Sequence, residues 1–459
     1  MSFFLIEDFR AGLDVRKAAD TSPAGTLTQF ENAHVSSGGE VEKRLAFDSK
    51  YTLPANTFGL CTLDSEIYVF GTIADPLTGT HVNTTYVQLT TSSSALLSSM
   101  VDWDVYDGLL YVVFELADGV VDHFYDGALV TAAANKGRFV KTFQTKTYSV
   151  IEKTLNFSAT GNTTDWTGTG SGFINLAQQD ARGVDAVGLE VYFNRLAVFG
   201  RRVIYIWNLD VDPLNNALEQ TLQQTGTLAS RSVAQFGNGD VLYLGDSGLR
   251  SLRARDSSNA AAVSDIGSPI DPLLVAAIQA AGEATTSLAQ AIVEPVTGRF
   301  WLILNDKIYV LSYFPGPKIT AWSTYTPGIT FDHVAVLGNN IVGRAGDEVY
   351  TLGGTTGEVY DTAQTRITTP FLAITNPSTT KVFQGLDVAC IGTWTVGIAL
   401  DPFNPVYETV ATITNSTYRT GRIELGGSGT HISAQLTCTD ASAASVAHVG
   451  VHYTGGETG

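Results

Sequence analysis

Six stretches of this sequence repeat one plan, and that repetition limits the fold more than any other feature. They are EIYVFG (66–71), LLYVVFE (109–115), RLAVFGRRVIYIWN (195–208), DVLYLGDSGLRSLR (240–253), RFWLILNDKIYVLSY (299–313) and HVAVLGNNIVGRAGDEVYTLGG (333–354). In each, a strongly apolar, β-rich run meets a short turn of Gly, Asn, Asp or Arg, and a second strand follows. KTYSVIEKTLNFSATGNTTDW (146–166) follows the plan less cleanly. The recurrence distance, roughly 40–60 residues, is that of β-propeller blades of about four strands. Inner strands of a blade are packed on both faces, which explains unbroken apolar runs where a one-sided sheet would alternate. The expectation is an all-β chain with a propeller of six or seven blades over residues 55–362.

The flanks differ. Residues 1–54 form an N-terminal segment in which TLTQFENAHVSSGGEVEKRLAF predicts two strands around the Ser-Ser-Gly-Gly turn at 36–39. Residues 363–459 alternate apolar with small or polar residues, predicting a separate small antiparallel β-sandwich-like domain, with TNPSTT (375–380) as a turn. One helix interrupts the β pattern at SDIGSPIDPLLVAAIQAAGEA. Asp271 suits its N-cap, Pro272 its first turn and Gly282 its C-terminal stop. Leu274, Ala277, Ile278 and Ala281 make an apolar stripe expected to pack on the propeller.

Composition restricts the partners. The chain of 459 residues carries 45 acidic against 27 basic side chains, a formal net charge of −18. Tight nucleic-acid binding draws on Lys and Arg displacing counterions, so no strong grip on a phosphate backbone is expected. No apolar run reaches the ~20 residues of a membrane span, and MSFFLIEDFR is too short and acidic for a signal peptide. Cys61, Cys390 and Cys438 have no metal spacing and read as small buried apolar groups.

The motifs that could carry chemistry dissolve on inspection. GDSG (245–248) matches the letters around a protease nucleophile, but it sits between VLYL and LRSL, where Asp246 and Gly248 are ordinary hairpin-turn residues. His34 and His123 occupy no recognisable base setting. His448 and His452 are four apart in a strand-like run, where the spacing makes no metal pair. GTGSG (168–172) and GGSG (426–429) lack a flanking phosphate-binding lysine and read as loops. Asp104, Asp165, Asp246, Asp306 and Asp332 read as loop aspartates and not as paired glycosidase acids. No catalytic residue, metal site or cofactor is expected. Lys43 and Arg44, beside Glu40 and Glu42, are the conspicuous basic pair, and Glu40, Lys43 and Arg44 are the candidate assembly contacts.

Two stretches resemble a known family. AGLDVRKAADTSPAGTLTQFENAHVSSGGEVEKRLAF, with Gly12–Asp14, Asn32-Ala33-His34 and residues 38–44, is similar to the opening of bacteriophage tail tubular protein B, the tail nozzle family of short-tailed phages. NRLAVFGRRVIYIWN, continuing to GDVLYLGDSGLRSLRARDSSNAAAVSDIGSPID, is similar to that family's central propeller. The resemblance implies a structural virion protein, made in the host cytoplasm and residing in the tail. It implies a hexameric ring beneath the tail adaptor, with tail fibres as further partners, closing the channel until DNA is ejected. An acidic wall would let DNA pass without adhering, its repulsion reaching about 8 Å at physiological salt. The competing expectations are a propeller enzyme that degrades glycans, such as a depolymerase or sialidase, and a receptor-binding adhesin.

Overall fold

The computed structural model describes residues 2–131, 137–179, 185–237, 239–254, 260–374, 376–419 and 421–455. Its described strands form seven blades arranged as a closed ring. The innermost strands are Phe58–Leu63, Leu97–Tyr106, Phe139–Phe143, Ala186–Tyr192, Ala234–Phe236, Gln290–Val293 and His333–Leu337, here numbered blades 1 to 7. Each of the quoted hairpins supplies strands to one blade, because short turns force sequential antiparallel pairing. Second and third strands such as Phe300–Leu304 and Val203–Asn208 are buried almost throughout, as their unbroken apolar runs predict.

Seven separate apolar clusters fill the seven seams between neighbouring blades. Cys61, Phe70, Met100 and Phe114 fill the seam of blades 1 and 2, for example, and Trp301, Tyr325, Phe331 and Ile341 that of blades 6 and 7. A blade cannot bury both faces alone, so the ring is the smallest unit that satisfies every blade. Blade 7 is completed from the other end of the chain. Phe47–Thr52 pairs antiparallel with Glu348–Leu352, so hydrogen bonds between distant parts of the chain hold the ring shut.

The sheet that begins in blade 6 does not stop at the blade's edge. Its outer strand Ile319–Tyr325 meets Gln29–Glu31, which pairs with Thr365–Thr368 and leads into the C-terminal strands. The far end is the hairpin of Ala33–Val35 and Val41–Lys43, whose second strand pairs with Ser445–Gly455. Ser2–Ile6 adds to that same C-terminal strand. A separate C-terminal sandwich is therefore not what forms. The strands are antiparallel, but they share one apolar core with blades 5 and 6 and the helix. The expected turn at 375–380 forms over its described residues, 376–380, where Thr379 N–H donates to the Asn376 carbonyl. GGSG also departs from expectation, because it ends the strand Arg422–Gly429.

The central strand of this region, Lys381–Ala399, is shared by two sets of partners. Its first part pairs with Arg422–Gly429 and Ser445–Gly455, and its second with Glu408–Arg419 and Ser433–Cys438. The changeover falls at register shifts around Cys390 and Gly392. Gly392 has φ +92°, and a Cβ there would lie 2.8 Å from the Ala444 methyl, so only glycine fits the bend.

The helix, Asp271–Thr286, packs on blades 5 and 6 through Leu274, Ala277 and Ile278. Asp271 is not its N-cap. Ile270 holds that position without a side-chain cap, because the Asp271 carboxylate is drawn to Arg250, 2.8 Å away. Gly282 breaks the helix with φ +74°, as expected of a stop, but one more turn follows, tied by Thr286 Oγ1 donating to the Gly282 carbonyl.

The GDSG turn is packed against the start of this helix. Gly248 has φ +121°, and a Cβ there would meet Asp271 Oδ1 at 1.9 Å. Gly248→Ala should therefore lower stability by more than about 1 kcal/mol, from backbone strain and displacement of the Arg250–Asp271 pair. Urea denaturation checks this, and an unchanged midpoint would contradict it.

Candidate functional site: the central channel

Lys43 and Arg44, expected as an exposed anchor for other tail proteins, are inside the molecule, with 3% and 1% of their surface exposed. Lys43 Nζ donates to the carbonyls of Asp440 (2.7 Å) and Ala363 (3.3 Å). Arg44 donates to Asn32 Oδ1 (2.9 Å) and the Leu45 carbonyl (2.8 Å), and pairs with Asp361 at 2.9 Å. They are anchors, but between parts of one chain. Burial of charge is rare, and it is tolerated here because Lys43 and most of the Arg44 guanidinium find acceptors. Glu40 remains half-exposed beside the 36–39 turn and does not join this cluster.

Ser247 is a turn residue. Its Oγ accepts from Arg250 Nη2 at 3.0 Å, and none of the chain's seven histidines lines the surface hollow around it. His123 is fully buried, bonded to Tyr111 and to the Gly137 carbonyl. His34 bonds Tyr325 and neighbours Glu42. His448 and His452 lie in the strand Ser445–Gly455, and His452 pairs with Asp387 at 2.6 Å. The three cysteines are buried and free. Among the described residues, no group of three His, Cys, Asp or Glu side chains is placed to hold a metal ion.

What the structure does bring together lies on the propeller axis. A cavity of about 480 Å³ is lined by inner strands from six blades and by Arg231, just ahead of blade 5's inner strand. It meets a mouth of about 620 Å³, sharing Met100, Arg231 and His333 with it. The inner strand of each blade has one unpaired edge, and its N–H groups need acceptors. Blade 2 supplies them to blade 3. Asp102 Oδ2 accepts from Val140 N–H at 2.9 Å, and Asp104 Oδ2 accepts from Thr142 N–H at 2.5 Å. The alternation in VDWDVY places both carboxylates on one face of the strand. Asp104, expected in a loop, is thus a strand residue with a capping task, and Asp102 had no sequence signal beyond this two-residue spacing.

Lys141, between the two capped residues, reaches on to blade 4 and pairs with Glu190 Oε1 at 3.0 Å. Burial alone would pull Lys141 down, but Glu190, Asp104 and Asp102 together hold it protonated above its ordinary range. Asp102 is pushed up to about 7, mainly by burial, against the opposing pull of the Val140 and Trp103 N–H groups. At the mouth, Arg231 donates to the Asp332 carbonyl at 3.0 Å. His333, pushed down to about 3 by burial and then by Arg231, stays neutral and faces the Met100 carbonyl. Three consecutive blades are therefore stapled by alternating charges. Asp102 could exchange a proton near neutrality, yet both its oxygens already accept backbone N–H groups.

No protein-family model matches the chain, and no curated protein matches it in sequence. Among solved structures, it is similar to the Pan2 WD40 domain of Neurospora crassa, at 9% identity and a TM-score of 0.40, over 70% of this chain and 98% of that one. It is also similar to an exo-β-1,3-galactanase from Phanerochaete chrysosporium, at 9% identity and a TM-score of 0.27, over 76% and 95% of the two chains. A third likeness is to BBS1N from its complex with ARL6DN, at 10% identity and a TM-score of 0.28, over 75% and 97%. At such identities and scores these likenesses say nothing about chemistry.

The Asp102 shift has a definite sign. Its folded value of about 7 lies above the ordinary 3.8, so between those limits the folded chain holds more proton than the unfolded one. The stability it contributes falls as pH rises through that window. His333 titrates with the opposite sign over an overlapping range, which makes the difference between variant and parent the clean measurement. Asp102→Asn should gain stability relative to the parent as pH rises from about 5 to about 8. Urea denaturation at each pH checks this, and a pH-independent difference would contradict it.

Proposed function

We propose that this chain is a structural protein of a short-tailed phage virion, forming the distal nozzle ring that closes the tail channel and conducts DNA on ejection. One observation carries the reading. The residues on which the family resemblance rests are spent on architecture: Asn32, Ala33 and His34 are buried, as are Lys43 and Arg44, and their polar atoms join the propeller to the C-terminal strands. A motif of that kind belongs to a scaffold more readily than to a reaction centre. The net charge of −18 supports a surface that DNA passes without adhering. The ring of six copies, the adaptor above it and the fibres beside it are what the resemblance implies.

A second reading, a propeller enzyme acting on surface glycans, draws on the raised Asp102 carboxyl and the carboxylates of the channel. It is the weaker one, because Asp102, Asp104 and Glu190 are already engaged by backbone N–H groups or by Lys141.

Immunogold electron microscopy, with antibody to this chain on particles from its source lysate, tests the proposal. Gold confined to the tip of a short tail is the expected result. Gold on peripheral fibres, or on no particle, would overturn it. Release of reducing sugar from host polysaccharide by the purified chain, lost in Asp102→Asn, would favour the enzyme reading instead.

A further inference from the structure

A second cavity, about 720 Å³, lies between the base of blades 6 and 7, the N-terminal hairpin and the C-terminal strands. At its wall is Arg299, in the turn joining Gln290–Val293 to Phe300–Leu304, with only 6% of its surface exposed. Among the described residues the other two buried arginines make several hydrogen bonds, although Arg44 Nη2 also lacks a partner. Arg44 has Asn32, Leu45 and Asp361, and Arg344 has the carbonyls of Thr57, Gly59 and Gly346. Arg299 donates no hydrogen bond among the described residues. Its nearest anion, Glu294, is 3.6 Å away, beyond hydrogen-bond length, and its Nε has no acceptor. A guanidinium has five N–H donors, and a buried one left without an acceptor, as Nε is here, is costly. The unmet donors call for an acceptor that the chain does not supply.

The surroundings define that acceptor. A guanidinium fork fits a planar oxyanion with two parallel hydrogen bonds. The cavity already holds two carboxylates, Glu42 and Glu294, so a dianion would be repelled where a single negative charge is tolerated. Lys43 and Arg44 add little attraction, because their heads are bound to carbonyls and Asp361. The rest of the polar lining includes the His34 ring and the hydroxyls and amides of Asn339, Asn340, Thr355, Thr356 and Tyr360. Such a lining recognises ligand hydroxyls, and the volume is that of a small-molecule site. From this arrangement we infer that the cavity binds a monocarboxylate bearing several hydroxyl groups, the chemistry of a sugar acid, with the carboxylate on Arg299. The site is independent of the channel and goes beyond the nozzle reading.

The test is isothermal titration of the full chain with D-glucuronate, and with glucose and inorganic phosphate as controls. One glucuronate site is expected, with glucose at least about tenfold weaker for want of charge-assisted bonds, and phosphate at least about tenfold weaker through repulsion by Glu42 and Glu294. Arg299→Met should weaken glucuronate at least about tenfold, and Arg299→Lys, which keeps the charge without the fork, should also weaken it. If Arg299→Met fails to fold, the lysine variant and the parent titration decide. No glucuronate binding by the parent chain, equal binding by the variants, or phosphate binding as tightly as glucuronate would each overturn the assignment. Self-association of the chain that glucuronate dissolves would mean that a neighbouring copy supplies the carboxylate, and would overturn it as well.

Discussion

The side chain of Asn32 is the joint on which the rest of the architecture depends. Its Oδ1 accepts from Arg44 Nε and from the Thr326 N–H, both at 2.9 Å, and its Nδ2 donates to the Gln364 carbonyl at 2.8 Å. Its own N–H donates to the Thr324 carbonyl at 2.7 Å, and its carbonyl accepts from Arg44 N–H and Thr365 Oγ1. One buried amide thus ties the end of blade 6, the start of the C-terminal strands and the N-terminal hairpin. The backbone there has φ +54°, a left-handed conformation that asparagine tolerates better than most residues. Any apolar replacement would leave buried partners unpaired, which costs more than the bonds themselves return.

From that joint the rest follows in sequence. The chain leaves Arg44, enters the closing strand Phe47–Thr52 and completes blade 7 before blade 1 begins. The N-terminal segment is therefore both the mortar between propeller and C-terminal strands and the latch of the ring. The channel inside that ring is crossed by Asp102, Asp104, Lys141 and Glu190, whose bonds run between blades. Such a bore is a stapled interior.

How much of this was legible in the sequence depended on the range of the interaction. The blade hairpins were legible because each strand's partner lies a few residues away and packing on two faces leaves an unbroken apolar run, as in DVLYLGDSGLRSL. GDSG was recognisable as a turn for the same reason. The merger of the two ends of the chain was not, because pairing of Glu31 with Arg366 or of Val41 with Val446 leaves no local trace. Lys43 and Arg44 look like a solvated face in the sequence because the Lys43 acceptors and the Arg44 counter-ion Asp361 lie hundreds of residues away. Asp104 looks like a loop residue in the sequence, although its spacing of two from Asp102 carries the hint that both serve one strand face. Arg299, in an ordinary Thr-Gly-Arg turn, gave no signal at all; only its burial and its unmet donors mark it.

The central claim, that the Asn32 joint couples the N-terminal segment to both propeller and C-terminal strands, is tested most directly by hydrogen exchange on Asn32→Ala. The account predicts that protection falls together in Gln29–Glu31, Ile319–Tyr325, Thr365–Thr368 and the closing strand Phe47–Thr52, while the inner strands of blades 2 to 4 keep theirs. A loss confined to the hairpin at residues 33–43, or no change in exchange, would contradict it.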